Sequence, residues 1–178
     1  MLFTSNELLS KLKQFEGLRL EAYEDAAGVL TIGYGHTHNV LKGDKISEYC
    51  ADEYLRMDME TAQRQVMELG VVKTQGELDA LVSFVFNLGI SRLKTSTLLK
   101  LIKAKMPREV VMKEFRKWCY ADGKRLPGLY ARRSWEAARF FEKTDKISEV
   151  EEKMLAKQSG IVSSIEEADE YPEEYCEV

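Results

Sequence analysis

The chain has 178 residues, 44% hydrophobic and 31% charged. That balance fits one globular domain with a packed core and excludes a disordered tail, a collagen or a mini-scaffold. The body up to Thr144 carries 23 basic and 19 acidic residues, against 3 and 11 from Asp145 onward. Its lysines are spread out, without the aromatic and basic interleaving of nucleic-acid binders, so nucleic acid is not an expected partner.

The apolar stretches Ala80 to Ile90 and Val29 to Tyr34 fall short of the roughly 18 to 20 residues that cross a bilayer, and no direct membrane insertion is expected. The start, Met1 to Glu7, lacks the basic region and apolar run of a signal peptide. Cys50, Cys119 and Cys176 are widely spaced and only two histidines are present, which points to neither a zinc site nor a disulfide framework.

In chain order, Thr4 and Glu7 read as a capping box before Leu8, Leu9, Leu12 and Phe15, predicting a helix from Ser5 to Phe15. Leu20 to Glu24 alternates, Asp25 to Gly28 reads as a turn, and Val29 to Tyr34 is β-branched and aromatic: a β-hairpin, with a third strand near Asn39 to Leu41. Ser47 can cap a long helix to Leu69 with Tyr49, Leu55, Met59, Ala62 and Val66 on its inner stripe.

Thr74 and Glu77 form a second capping box before an apolar, central helix that Gly89 ends. Further helices are expected over Ser96 to Lys105, Pro107 to Cys119 and Leu129 to Phe141, with breaks at Ala121 to Gly123 and Pro127 to Gly128. One helix, a small antiparallel sheet and then helices only make an α+β fold, with a ligand groove between sheet and helices. The expected organisation is one domain over 1–144, divided into a helix-and-hairpin lobe (1–46), a connecting helix (47–69) and a helical lobe (70–144). An acidic tail over 145–178 is expected to be partly helical, from Ser148, Glu151, Ile147, Val150 and Met154, or disordered.

Glu16 at the end of the first helix, Asp25 at the hairpin turn and Thr31 on the returning strand are placed to face one cleft. Glycoside hydrolysis needs one carboxyl group protonated, to donate to the leaving oxygen, and another ionised, as base or nucleophile. Apolar neighbours such as Phe15 or Leu18 would favour a protonated Glu16, and free N–H groups of a turn would favour an ionised Asp25. With 30 acidic residues in the chain, however, pairs nine apart are abundant and most carboxylates are simply solvated.

The run Glu16-Gly-Leu-Arg-Leu-Glu-Ala-Tyr-Glu-Asp25-Ala-Ala-Gly-Val-Leu-Thr31-Ile-Gly-Tyr-Gly-His-Thr37 resembles the signature of the phage-type lysozymes, the endolysin family of glycoside hydrolase family 24. Phe84 to Gly89, Ser96 to Leu99, Lys117-Trp118, Leu126 to Leu129 and Arg132-Arg133 resemble the helical lobe in the same order, so the likeness runs from about Leu8 to Phe141. The resemblance implies a lysozyme-like α+β fold with the cleft between its lobes. It implies Glu16 as general acid, Asp25 as the carboxylate that activates or orients water, and Thr31 as a residue that positions that water.

The substrate it implies is the β-1,4 bond between N-acetylmuramic acid and N-acetylglucosamine in peptidoglycan glycan strands. Cleavage with inversion and no metal or cofactor is expected. Thr37, Phe86, Asn87 and Thr97 match substrate contacts. His36 is expected to be structural, paired with an acid of the long helix, and His38 exposed; Trp118 and Trp135 are expected in the core and Arg132 and Arg133 in solvent. A monomer made in the host cytoplasm would reach the wall through a holin-like membrane pore. Three rivals are a lytic transglycosylase, against which the intact Asp25 and Thr31 argue, a non-catalytic wall-binding or virion module that keeps the fold, and a lysozyme-like enzyme acting on chitin or another amino-sugar polymer.

Overall fold

Ser5 starts the first helix, α1 (Asn6–Glu16), in a computed structural model that describes residues 4–25, 27–121 and 123–142. The expected Thr4–Glu7 capping box does not form. Ser5 Oγ accepts the Leu8 N–H at 3.1 Å and itself donates to Asp79 Oδ2 at 2.6 Å, while Glu7 is drawn to Arg139 at 3.0 Å. Tertiary partners thus shift the cap by one residue. Gly17 closes the helix with φ 71°, its N–H on Lys13 O, a backbone shape that L side chains resist; the chain therefore leaves the helix directly after Glu16.

The hairpin pairs β1 (Arg19–Glu24) antiparallel with β2 (Leu30–Gly33), Tyr23 facing Thr31 and Glu24 facing Leu30, with a register shift between Arg19 and Tyr23. The third strand expected at Asn39 to Leu41 is absent. Asn39 takes φ 55°, and both backbone groups of Leu41 are satisfied locally by Asp44, the N–H by Oδ2 at 2.8 Å and the carbonyl by the Asp44 N–H at 3.2 Å, which takes Leu41 out of a ladder. The chain touches β1 again at Lys45, bridged to Glu21.

Ser47 caps α2 (Glu48–Met67) as expected. Leu55, Met59, Ala62 and Val66 are buried along one stripe, but Tyr49 is 66% exposed: at 100° per residue it lies off the line through Ala51 and Leu55. The Thr74/Glu77 box opens α3 (Gln75–Leu88), in which every residue from Leu78 to Val85 is buried. Packed between α2 and α7, this helix is the centre of the core.

A short helix not anticipated, α4 (Ile90–Thr95), precedes α5 (Thr97–Lys103), which Ser96 caps. After α6 (Arg108–Arg116), β3 (Tyr120–Ala121) and β4 (Lys124–Arg125) pair antiparallel on either side of the expected break. Pro127, expected in a break, is instead the first residue of α7 (Pro127–Phe140), where its missing N–H costs nothing. The α+β class holds, with seven helices and two small antiparallel sheets among the described residues. The tail expected over 145–178 lies outside the described residues.

Candidate active site

Glu16 is the last residue of α1, and its side chain is 21% exposed. Arg132 of α7, itself only 3% exposed, reaches it with Nη1 at 2.5 Å from Oε1. The rest of that guanidinium is held from behind: Nη2 donates to Ser83 O at 2.9 Å, Nε to Ser83 Oγ at 3.3 Å, and Nε stands 3.4 Å from Glu136 Oε1. The loop after β2 also comes close, since a Cβ on Gly35 would lie 3.9 Å from Glu16 Oε2. Helical lobe and hairpin lobe therefore meet at this carboxylate.

The second carboxylate is built into the hairpin turn. Asp25 Oδ1 accepts the N–H groups of Ala27 at 2.8 Å and Val29 at 2.9 Å, and the Asp25 N–H donates to Val29 O at 3.0 Å. One oxygen is thus committed to the turn while the residue stays exposed. Thr31, 4% exposed, donates its Oγ1–H to Val29 O at 3.0 Å. Asp25 and Thr31 are consequently held relative to each other through a single residue.

The candidate substrate contacts are less closely gathered. Phe86 and Asn87 are half-buried at the end of α3, Phe86 packed on the core. Asn87 Oδ1 is buried with no hydrogen-bond partner among the described residues, an acceptor ready for a donor. Thr37 and Thr97 are both exposed, the first in the loop after His36 and the second at the first position of α5. A concavity lined by Leu69, Ile102, Met106 and Phe141 contains none of the candidate residues.

His36 is structural as expected: Nδ1 lies 2.9 Å from Asp58 Oδ2 on α2, and its ring stacks on Tyr54 at 4.4 Å. His38 is exposed, and Trp118 and Trp135 pack against the core. The expectation that Arg132 and Arg133 are solvated fails. Arg133 is fully buried over the Phe84 ring, with Nη2 at 2.7 Å from Glu136 Oε1. Both arginines find countercharges inside, Arg132 at Glu16 and Glu136 and Arg133 at Glu136, which stand in for water on that side, although Arg133 Nε and Nη1 have no hydrogen-bond partner among the described residues. Burial pushes the Arg133 pKa down and that of the wholly enclosed Glu136 up.

Glu16 also meets a cation that was not expected, the Arg132 guanidinium lying over the Phe15 ring at 5.2 Å, while Leu18 is 37% exposed. Ser83 and Glu136 are residues the sequence did not single out, and Arg132, expected in solvent, is instead the partner of Glu16. The available signal was the spacing of Arg132, Arg133 and Glu136, three and four apart on a helix.

An α+β body with one carboxylate gripped where its lobes meet, and a second at the tip of the adjoining hairpin, has the architecture of a glycoside hydrolase of the lysozyme fold. A model of the family described as phage lysozyme matches residues 13–136. The endolysin of Acyrthosiphon pisum secondary endosymbiont phage 1 is 43% identical over 141 residues, 76% of this chain and 96% of the relative. Among solved structures, the endolysin from Escherichia coli O157:H7 phage FAHEc1 superposes with a TM-score of 0.70 at 36% identity, covering 80% of this chain and 96% of the other. The muramidase domain of SpmX from Asticaccaulis excentricus gives 0.73 at 31% identity, covering 80% and 99%. The chain belongs to the phage lysozyme family. It is a peptidoglycan hydrolase of the endolysin kind.

Proposed function

We propose that Glu16 and Asp25 divide the two roles of an inverting hydrolysis at the β-1,4 bond between N-acetylmuramic acid and N-acetylglucosamine. Glu16 in its acid form protonates the glycosidic oxygen, and Asp25 takes a proton from the water that attacks the anomeric carbon from the opposite face. The bond from that carbon to the leaving oxygen breaks as the new one to water forms. Each sugar fragment leaves with a hydroxyl, and the proton on Asp25 returns to Glu16 through solvent.

The observation that carries this reading is the grip of Arg132 on Glu16 where the lobes meet. Donating its proton turns Glu16 into an anion, and that charge develops beside a guanidinium already fixed by Ser83; a preset charge of this kind costs no reorganisation during the reaction. Asp25, tied by the Ala27 and Val29 N–H groups, and Thr31, tied to Val29 O, form a fixed edge for the water. The open acceptor of Asn87 suits the N–H of a sugar acetamido group, with Phe86 as an apolar wall and Thr37 and Thr97 as further glycan contacts. Action as a monomer, delivered through a holin-like pore, belongs to the same reading.

Mass spectrometry of muropeptides released from purified peptidoglycan tests it. Wild type should release reducing-end muramic acid products, initially of inverted anomeric configuration, and Glu16→Gln should release none. Anhydro-muramic products would instead assign a transglycosylase, and substantial hydrolysis by Glu16→Gln would overturn the role of Glu16.

A further inference from the structure

Behind Glu16 lies a closed chain of charges. Arg132, Glu136 and Arg133 all come from α7, their side chains 3%, 0% and 0% exposed, and Ser83 of α3 closes the chain from the neighbouring helix. Glu136 Oε1 is the hub. It accepts Ser83 Oγ–H at 2.7 Å and Arg133 Nη2 at 2.7 Å, and lies 3.4 Å from Arg132 Nε. Ser83 binds Arg132 in turn at both Nε and Nη2. The guanidinium that meets Glu16 is therefore fixed on its far edge by Ser83 and Glu136, and only Nη1 is left to reach the carboxylate.

We propose that Glu136 is a positioning residue for the general acid: through Arg132 and Ser83 it sets both the place of the guanidinium and the net charge that Glu16 faces. The inference rests on the reading of Glu16 as the acid. The charged groups in the arrangement are Glu16 of α1 and Arg132, Glu136 and Arg133 of α7; α3 contributes only the neutral Ser83. Burial works against the charge of Glu136, while the two guanidiniums and the Ser83 hydroxyl at Oε1 favour it; with both glutamates ionised, two cations balance two anions. Without the charge of Glu136, two buried cations face Glu16 alone, which favours its ionised form and removes acid available for donation. The effect reaches the reacting proton although Glu136 touches neither substrate nor proton.

Three variants of the full-length chain test this: Glu136→Gln, which keeps the shape and removes the charge; Ser83→Ala, which removes the hydroxyl link and leaves every charge; and Glu16→Gln. For Glu136→Gln we expect kcat on peptidoglycan to fall about 10- to 100-fold with KM within about twofold. The alkaline limb of the kcat profile should move down by about one pH unit, the scale of one nearby charge in a protein. Ser83→Ala should lower kcat several-fold with KM held.

Wild-type kcat and an unmoved alkaline limb in folded Glu136→Gln would overturn the proposal, leaving Glu136 a purely structural residue. Should Glu136→Gln not fold, Ser83→Ala decides: lowered kcat at constant KM supports the proposal, and wild-type kcat overturns it. Glu16→Gln separates the two levels. If it abolishes hydrolysis while the other variants change nothing, this proposal falls and the assignment of Glu16 stands; if it retains hydrolysis, both fall.

Discussion

Asp79 Oδ2 receives two N–H groups of Arg139, Nε at 3.0 Å and Nη2 at 2.7 Å, and also the hydroxyl of Ser5 at 2.6 Å. This fully buried carboxylate of α3 fastens the start of α1 and the end of α7 to the central helix, and α1 ends on Glu16. Removing one partner of a buried pair strands the other, at a cost of about 3–5 kcal/mol. Asp79→Ala should lose stability on that scale in urea unfolding; Arg139 keeps Glu7 and Glu142 on Nη1, but its buried Nε and Nη2 lose their acceptor, and adding Arg139→Met should restore part of the loss by removing those stranded donors. A double variant as unstable as the single one would show that Asp79 acts through Ser5 and Gln75, its other donors, and not through Arg139.

Gly76 marks the same helix contact. A Cβ there would stand 2.3 Å from the carbonyl oxygen of Arg139, so Gly76→Ala must push α3 and α7 apart at their ends. Overpacking of this kind costs about 1–3 kcal/mol, more than the few tenths to one that a better helix former returns. The net change should be destabilising in chemical unfolding; a stabilised Gly76→Ala would mean that the two helices part freely there.

The hairpin side of the site was legible in the sequence because its determinants are local. Asp25, the turn and Thr31 lie within seven positions, and the bonds from Ala27 and Val29 to Asp25 are those a turn aspartate makes in isolation. The cation on Glu16 was not legible, because Arg132 is 116 positions away and reaches it only when α1 and α7 flank α3. The same distinction runs through the fold. The Thr74/Glu77 box forms as its own residues dictate, whereas the helix start at Ser5 is decided by Asp79, 74 positions on. The buried charges of α7 defeat a reading based on solvation, since what neutralises them comes partly from two other helices.

Stability should fall in alkali through two neighbouring groups. Burial raises the Tyr34 hydroxyl above its ordinary 10.0, and the hydrogen bond to Asp52, 2.6 Å from Nζ, raises Lys13 above 10.5. In both cases the folded chain holds the proton more tightly than the unfolded chain. Their contribution is complete below about pH 10 and is lost as the pH climbs through the folded values. Thermal unfolding from about pH 9 to about pH 11.5 should show a decline that Tyr34→Phe makes shallower; an identical decline in that variant would remove Tyr34 from the account.

Asp25 allows fold and chemistry to be separated at one position. In Asp25→Asn the amide oxygen still accepts from Ala27 and Val29, so the turn should survive, with stability within about 0.5 kcal/mol of wild type. On the proposed reading the charge that draws a proton from water is gone, and kcat on peptidoglycan should drop by about 100- to 10,000-fold. Asp25→Ala loses both turn bonds, and should add a destabilisation of about 1 kcal/mol to a comparable loss of rate. Melting curves and wall-clearing rates on the two variants distinguish the roles. A nearly active Asp25→Asn beside an inactive Asp25→Ala would make Asp25 a residue that shapes the hairpin, and the proton acceptor would have to be sought elsewhere along the cleft.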